Sequence, residues 1–212
     1  MNNNVFCMKP FTIPLAQMHV DEDTSELKSC KLYRRSNLQV ETENIKVDED
    51  ISYYRVLEEF PTTKFLLTAY VNKILNETIG YNANFVITTS WITLTTKNTK
   101  SQTHIHKNSF WSGVYYFDDD YGKNAGRLEF RNPIPHLSSF LPGIKEGEIN
   151  SVTANEIYIK PRSKMLILFP SYVYHEVALH KEDIDRHSLA FNIIPTGLYG
   201  NGDSMCDTSW IN

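Results

Sequence analysis

Cysteine is scarce in this chain and scattered where it occurs: Cys7, Cys30 and Cys206 are the only 3 among 212 residues. An odd number with no Cys-x-x-Cys spacing argues against a disulfide framework or a thiolate zinc site, and for reduced thiols in a cytoplasm. Clusters of Lys or Arg are absent too, and the 21 basic residues are outnumbered by 25 acidic ones, for a formal net charge of -4. Nothing here would track a phosphate backbone, so nucleic acid is not an expected partner. No apolar run approaches the roughly 20 residues that a membrane-spanning helix needs. The start, Met1-Asn2-Asn3-Asn4-Val5, has neither the basic region nor the apolar core of a signal peptide. A cytoplasmic location and no membrane association are the expectations. Internal repeats are missing, and Asn2 to Asn4 is the only low-complexity tract.

What is present suits one enzyme-sized unit. With 41% hydrophobic and 12% aromatic residues the chain can bury a substantial core. Residues 1–212 read as a single domain: segments and a buttressing helix over 1–83, a β core over 84–200 and a tail over 201–212. Pro61 to Ile79 carries apolar residues at Phe65, Leu66, Tyr70, Val71, Ile74 and Leu75, a helical period, with Pro61 in the first turn and Thr62 or Thr63 as caps. From Asn84 onward, β-branched and aromatic runs recur between turn signals. Strands are expected over Phe85 to Thr95, Thr103 to His106, Trp111 to Phe117, Arg127 to Phe130, Glu156 to Ile159, Met165 to Phe169, Tyr172 to Val177 and Ser188 to Ile194. Asp118 to Gly126 has the composition of an exposed acidic hairpin turn, and Phe140 to Asn155 that of a loop. Eight strands suffice for two sheets of a jelly-roll-like barrel, whose mouth is a natural ligand pocket.

Chemistry concentrates on four residues: His104, His106, His175 and Arg186. Successive side chains of a strand point to opposite faces, so His104 and His106 would share one face, as two ligands of one cation would. His175 follows the apolar run Met165 to Leu168 and the turn Phe169-Pro170-Ser171. Alternation along the last strand puts Arg186, Ser188, Ala190 and Asn192 on one side, a polar wall, and His187, Leu189, Phe191 and Ile193 on the other. A guanidinium suits a carboxylate there, because its planar fork binds two oxygens and stays charged. Along Trp111 to Phe117 the same alternation separates Tyr115 from Tyr116. Taken singly, each residue has a plainer reading: polar strand positions for His104 and His106, a carbonyl-bonded strand-end His175, and a surface ion pair between Arg186 and a neighbouring Asp. His19, His136, His180 and His187 keep that plainer reading.

The joint pattern carries more. Thr103-His104-Ile105-His106 leading into Trp111 to Phe117, then Gly126-Arg127-Leu128-Glu129-Phe130, then Phe169-Pro170-Ser171 to His175-Glu176-Val177 and Arg186-His187-Ser188 resembles the iron(II) and 2-oxoglutarate-dependent oxygenases. The resemblance extends over Asn84 to Gly200 and is nearest to their prolyl-hydroxylase-like branch, more narrowly to a group of bacterial and phage proteins. It implies a mainly β (α+β) fold, a double-stranded β-helix of the jelly-roll or cupin-like kind with buttressing helices. It also implies His104, His106 and His175 as ligands of Fe(II), and Arg186, Ser188, Tyr116 and Asn192 as the 2-oxoglutarate-binding set. The implied reaction consumes O2 and 2-oxoglutarate, releases succinate and CO2, and hydroxylates a small-molecule or peptide substrate that the sequence does not identify; a homo-oligomer is compatible with it.

One position departs from the family. His106 stands where most members place Asp or Glu, the carboxylate of the two-His-one-carboxylate triad. Three imidazoles also suit zinc, copper or nickel, so iron is inherited from the resemblance rather than read from the ligands. Of the acids that could stand in, Asp118-Asp119-Asp120 reads as a solvated turn, Glu129 as facing water, and Glu176 as pointing away from His175 on its strand. The related halogenases open a halide position with a small residue at this place, which His106 would block, so hydroxylation is expected. Two other readings stay open: a three-His dioxygenase of the same barrel that uses no 2-oxoglutarate, and a binding barrel without catalysis.

Overall fold

The computed structural model describes residues 12–31, 33–35, 54–133 and 154–211. In chain order it contains β1 (Ala16–His19), β2 (Arg34–Arg35), α1 (Pro61–Lys73), β3 (Asn84–Thr95), β4 (Trp111–Tyr116), β5 (Leu128–Arg131), β6 (Glu156–Ile159), β7 (Met165–Pro170), β8 (His175–Val177), β9 (Arg186–Thr196), β10 (Leu198–Tyr199) and β11 (Cys206–Asp207). A major sheet has the order β1-β7-β4-β9-β3-β2, a minor one β6-β5-β8, and β10 pairs with β11. The fold is thus mainly β, two facing sheets of jelly-roll type with a single α-helix among the described residues.

The two sides of the major sheet bury different sets. β4 and β7 are buried at every position, as central strands covered on both faces must be. Trp111, Tyr115, Leu166, Leu168, Leu189, Phe191 and Ile193 pack on the side of α1, against Leu67, Val71, Ile74 and Leu75. Val114, Tyr116, Met165, Ile167 and Phe169 face the other way, onto Leu128 and Phe130 of the minor sheet. Between the sheets, on that second side, lies the pocket wall of β9.

Several expectations change in detail. α1 begins at Pro61, but no side chain at its own start caps it. Glu26, from a 3-10 turn over Ser25–Ser29, accepts from Thr63 N at 3.0 Å instead, bringing a carboxylate to the positive end of the helix dipole. The helix runs into a π-helical turn over Ile74–Ile79 and stops at Gly80, whose φ of 95° is a left-handed cap. Phe65, counted above with the apolar face, is exposed. His19 belongs to β1, an edge strand that sequence composition did not announce. Asp118 is no free solvated acid, since it accepts from His187 N at 2.7 Å. The expected strand over Thr103 to His106 reduces to a single bridge between His104 and His175. His136 and the expected loop over Phe140 to Asn155, apart from its last two residues, fall outside the described residues.

Candidate metal centre and its pocket

That single bridge does the essential positioning. His104 N donates to His175 O and His175 N to His104 O, both at 3.0 Å, so the segment before β4 is tied to the edge of the minor sheet at the two residues that matter. His106 N donates to Ser171 O at 3.0 Å, fixing the second histidine to the turn that ends β7. The three imidazoles converge. Ring centroids lie 4.3 Å apart for His104 and His175, 4.9 Å for His106 and His175, and 5.1 Å for His104 and His106, with one potential ligand atom from each within 4.8 Å of the others.

Their outer nitrogens are all committed. His104 Nδ1 lies 2.8 Å from Gln102 O, His175 Nδ1 2.9 Å from Val173 O and His106 Nδ1 2.6 Å from Asn192 Oδ1. An amide oxygen only accepts, so each Nδ1 carries the proton and each Nε2 keeps its lone pair, as in metal-binding histidines oriented by carbonyl partners. Burial holds His175 neutral, pushing its pKa down to about 3, with the neighbouring His104 adding to the effect. Three imidazoles whose ligand atoms converge in this way can hold a divalent cation. The candidate substitute carboxylates are occupied elsewhere: Glu129 pairs with Arg127, Glu176 with Thr103 and Arg131, and Asp118 with His187.

Arg186 forms the opposite pole. It is 1% exposed, and among the described residues no carboxylate pairs with it. Nη2 donates to Tyr116 Oη at 2.9 Å, Nη1 reaches Thr95 Oγ1 and Ser188 Oγ at 3.4 Å, and Nε has no hydrogen-bond partner. A surface ion pair with Asp183 or Asp185 is therefore not its role. A buried guanidinium without an anion is costly, and an incoming carboxylate would relieve it. Tyr116 lies behind this cation with its ring 5.0 Å from Arg186 Cζ, while Tyr115 turns to the other side of the sheet, where its hydroxyl meets Thr24 Oγ1 at 2.7 Å.

One cavity of about 670 Å³ joins the poles: its walls include His104, His106, His175, Arg186, Ser188 and Asn192. Tyr116 touches Arg186 without lining that cavity, and the amide of Asn192 is turned to His106 and, through Nδ2, to Thr89 Oγ1 at 2.9 Å. Trp91 and Lys107 also line the cavity. Sequence reasoning missed both, although Trp91 shares a strand face with Thr89 and Thr93. His180 is buried and structural, accepting from Gly126 N at 3.1 Å; His19 lies on the surface near Asp21.

Residues 89–192, which begin and end on the hydrogen-bonded pair Thr89 and Asn192, match the family model described as putative 2OG-Fe(II) oxygenase. Over this segment the chain is similar to the 2OG-Fe(II) oxygenases. The family's cofactors, iron(II) and 2-oxoglutarate, are those expected from the sequence motifs. No curated protein matches the chain. Among solved structures, a prolyl hydroxylase of Trichoplax adhaerens in complex with a hypoxia inducible factor peptide is 14% identical with a TM-score of 0.52, covering 85% of this chain and 83% of that one. HygX of Streptomyces hygroscopicus, with nickel and 2-oxoglutarate bound, is 13% identical with a TM-score of 0.51, covering 87% and 83%. At such identities the likeness is one of fold. The chain spans 55% of the length of a 2OG-Fe(II) oxygenase-family oxidoreductase from Burkholderia pseudomallei, covering 63% of itself at 14% identity and a TM-score of 0.47.

Proposed function

We propose that the protein is an iron(II)- and 2-oxoglutarate-dependent dioxygenase in which His104, His106 and His175 ligate the metal through Nε2 and Arg186 holds the far carboxylate of 2-oxoglutarate. The observation that carries this reading is the buried guanidinium of Arg186, without an acid partner among the described residues, in the same cavity as three imidazoles whose Nδ1 atoms face oxygen acceptors. A divalent metal fits the donor set, and a dicarboxylate fits the distance-separated pair of cationic poles. Bound metal and 2-oxoglutarate would supply the oxidising chemistry by activating O2, one oxygen atom of which would enter the hydroxylated substrate and the other succinate, with release of CO2.

The chain's own groups bind and orient. Arg186 offers its unpaired Nε and the Nη groups to the carboxylate, Ser188 stands beside it, and Tyr116 has its ring near the guanidinium carbon and accepts from Nη2. Burial pushes the Tyr116 phenol up, so it stays protonated. Val114, Leu128 and Val177 give the cavity an apolar wall, which excludes water from the reacting centre. The substrate class is a small molecule or a peptide; fold neighbours hold one of each, HygX hygromycin B and the Trichoplax enzyme a peptide fragment. A cytoplasmic setting is part of this reading, in keeping with three scattered cysteines that lack a Cys-x-x-Cys spacing. Among the described residues no helix is long and apolar enough to cross a membrane.

Anaerobic titration of iron(II)-loaded protein with 2-oxoglutarate tests the reading. A weak visible charge-transfer band is expected in the wild type, and none in Arg186→Ala at unchanged metal content. Absence of the band from fully loaded wild type would leave a three-His metalloprotein without this cosubstrate.

A further inference from the structure

His106 is held differently from the other two histidines. His104 and His175 each donate Nδ1–H to a main-chain carbonyl two residues earlier, Gln102 O and Val173 O, contacts that survive almost any change of side chains nearby. Opposite His106 Nδ1 there is instead a side chain from the far strand of the pocket, Asn192 Oδ1 at 2.6 Å, with Ser112 Oγ at 2.9 Å. The amide of Asn192 has little freedom to turn. Its Nδ2 donates to Thr89 Oγ1 at 2.9 Å, and Ser112 Oγ donates to Oδ1 at 3.1 Å. Ser112 is itself buried against Ser171 Oγ at 2.8 Å, which lies 2.9 Å from Ser109 Oγ. The arrangement presents an acceptor to position 106. A carboxylate there would meet Asn192 Oδ1 acceptor to acceptor, whereas an imidazole with its proton on Nδ1 matches it.

We infer that Asn192 is a positioning residue that holds His106 in the Nδ1–H tautomer with Nε2 directed at the other two imidazoles, and that Thr89 acts through it by fixing the amide. Thr89, Asn192 and Ser112 together form the counterpart, for a histidine at this position, of the main-chain carbonyls behind His104 and His175. The metal half of the inference rests on the proposed function; the tautomer half does not. Partners of this kind typically contribute a 10–100-fold effect on metal affinity.

Two readouts test it on the intact chain. In metal-free protein labelled with 15N in its histidines, long-range 15N–1H correlation reads each neutral ring's tautomer. Wild type should show His106 as Nδ1–H. Asn192→Ala should mix the two tautomers of His106 while His104 and His175 stay unchanged, and Asn192→Asp should restore the Nδ1–H form. Cobalt(II) titration should give about 10–100-fold weaker binding in Asn192→Ala, affinity in Asn192→Asp equal to or tighter than wild type, and a smaller loss in Thr89→Val. A purely structural Asn192 would lose affinity in Asn192→Ala and Asn192→Asp alike. An unchanged His106 tautomer in Asn192→Ala would overturn the inference. Wild type that shows the expected tautomer but takes up no cobalt would instead defeat the metal reading and leave the role of Asn192 in orienting the ring standing.

Discussion

Arg186 and His187 are neighbours on β9 that face opposite sides of the sheet, and among the described residues only the histidine has an acid. His187 Nδ1 lies 3.3 Å from Asp118 Oδ2, and hydrogen bonding to that carboxylate, against some desolvation, raises its pKa. A base whose pKa is higher folded than unfolded binds its proton more tightly in the fold. Its contribution is complete below the unfolded value near 6.5 and fades as pH rises through the folded value. His175 acts in the opposite sense, because burial depresses its pKa to about 3, so the unfolded chain takes a proton near pH 6.5 that the folded pocket refuses. Comparing wild type with Asp118→Asn cancels the His175 contribution, since both chains carry it. Urea denaturation of metal-free protein should show wild type more stable than Asp118→Asn at pH 5.5, by no more than about 1 kcal/mol for a partly exposed pair, with the gap shrinking at pH 8.5. A gap that does not change with pH would mean that Asp118 acts through the His187 backbone alone.

At the scale of elements, Gly113 shows what the central strand demands. It sits on β4 opposite Phe191 of β9, and a Cβ at Gly113 would come within 2.2 Å of the Phe191 ring. The ring fills the place of the absent side chain. Gly113→Ala should therefore cost about 1–3 kcal/mol through overpacking, read by chemical denaturation, and Phe191→Leu in the same chain should recover part of it. Equal loss in the single and double variants would place the strain in the backbone. β3, β4, β7 and β9 were legible because long β-branched and aromatic runs leave few alternatives. Their two-residue alternation also separates Tyr115 from Tyr116 and Arg186 from His187, as the sheet does. Residues 103–106 were less legible: one backbone bridge suffices to place His104, and a polar alternating segment gives no sign of where pairing stops. Neither the cap that Glu26 provides for α1 nor the Asn192 contact to His106 has a local signature, the latter joining residues 86 apart in sequence. Such contacts follow from which strands become neighbours, which periodicity does not encode.

For the molecule as a whole, the candidate metal centre spans the gap between the two sheets. His104 and His175 belong to the edge of the minor sheet, while His106 is tied through Asn192 and Ser112 to β9 and β4 of the major one. Three imidazoles brought together without a cation gain nothing from one another, and His175 is desolvated as well. Metal-free protein should thus be easiest to open at this end of the sandwich. A cation bound to the folded state alone would close it, adding by mass action about 2.7 kcal/mol at a free concentration of 100 Kd. Thermal unfolding followed during cobalt(II) titration should show a midpoint that climbs with metal concentration and falls back when a chelator is added. His104→Ala should start near the wild-type midpoint, because its ring is exposed and its backbone bridge needs no side chain, and should lose the climb. A wild-type midpoint insensitive to cobalt(II), zinc and iron(II) alike would mean that the three histidines meet for packing reasons only, and the proposed chemistry would have no centre on which to act.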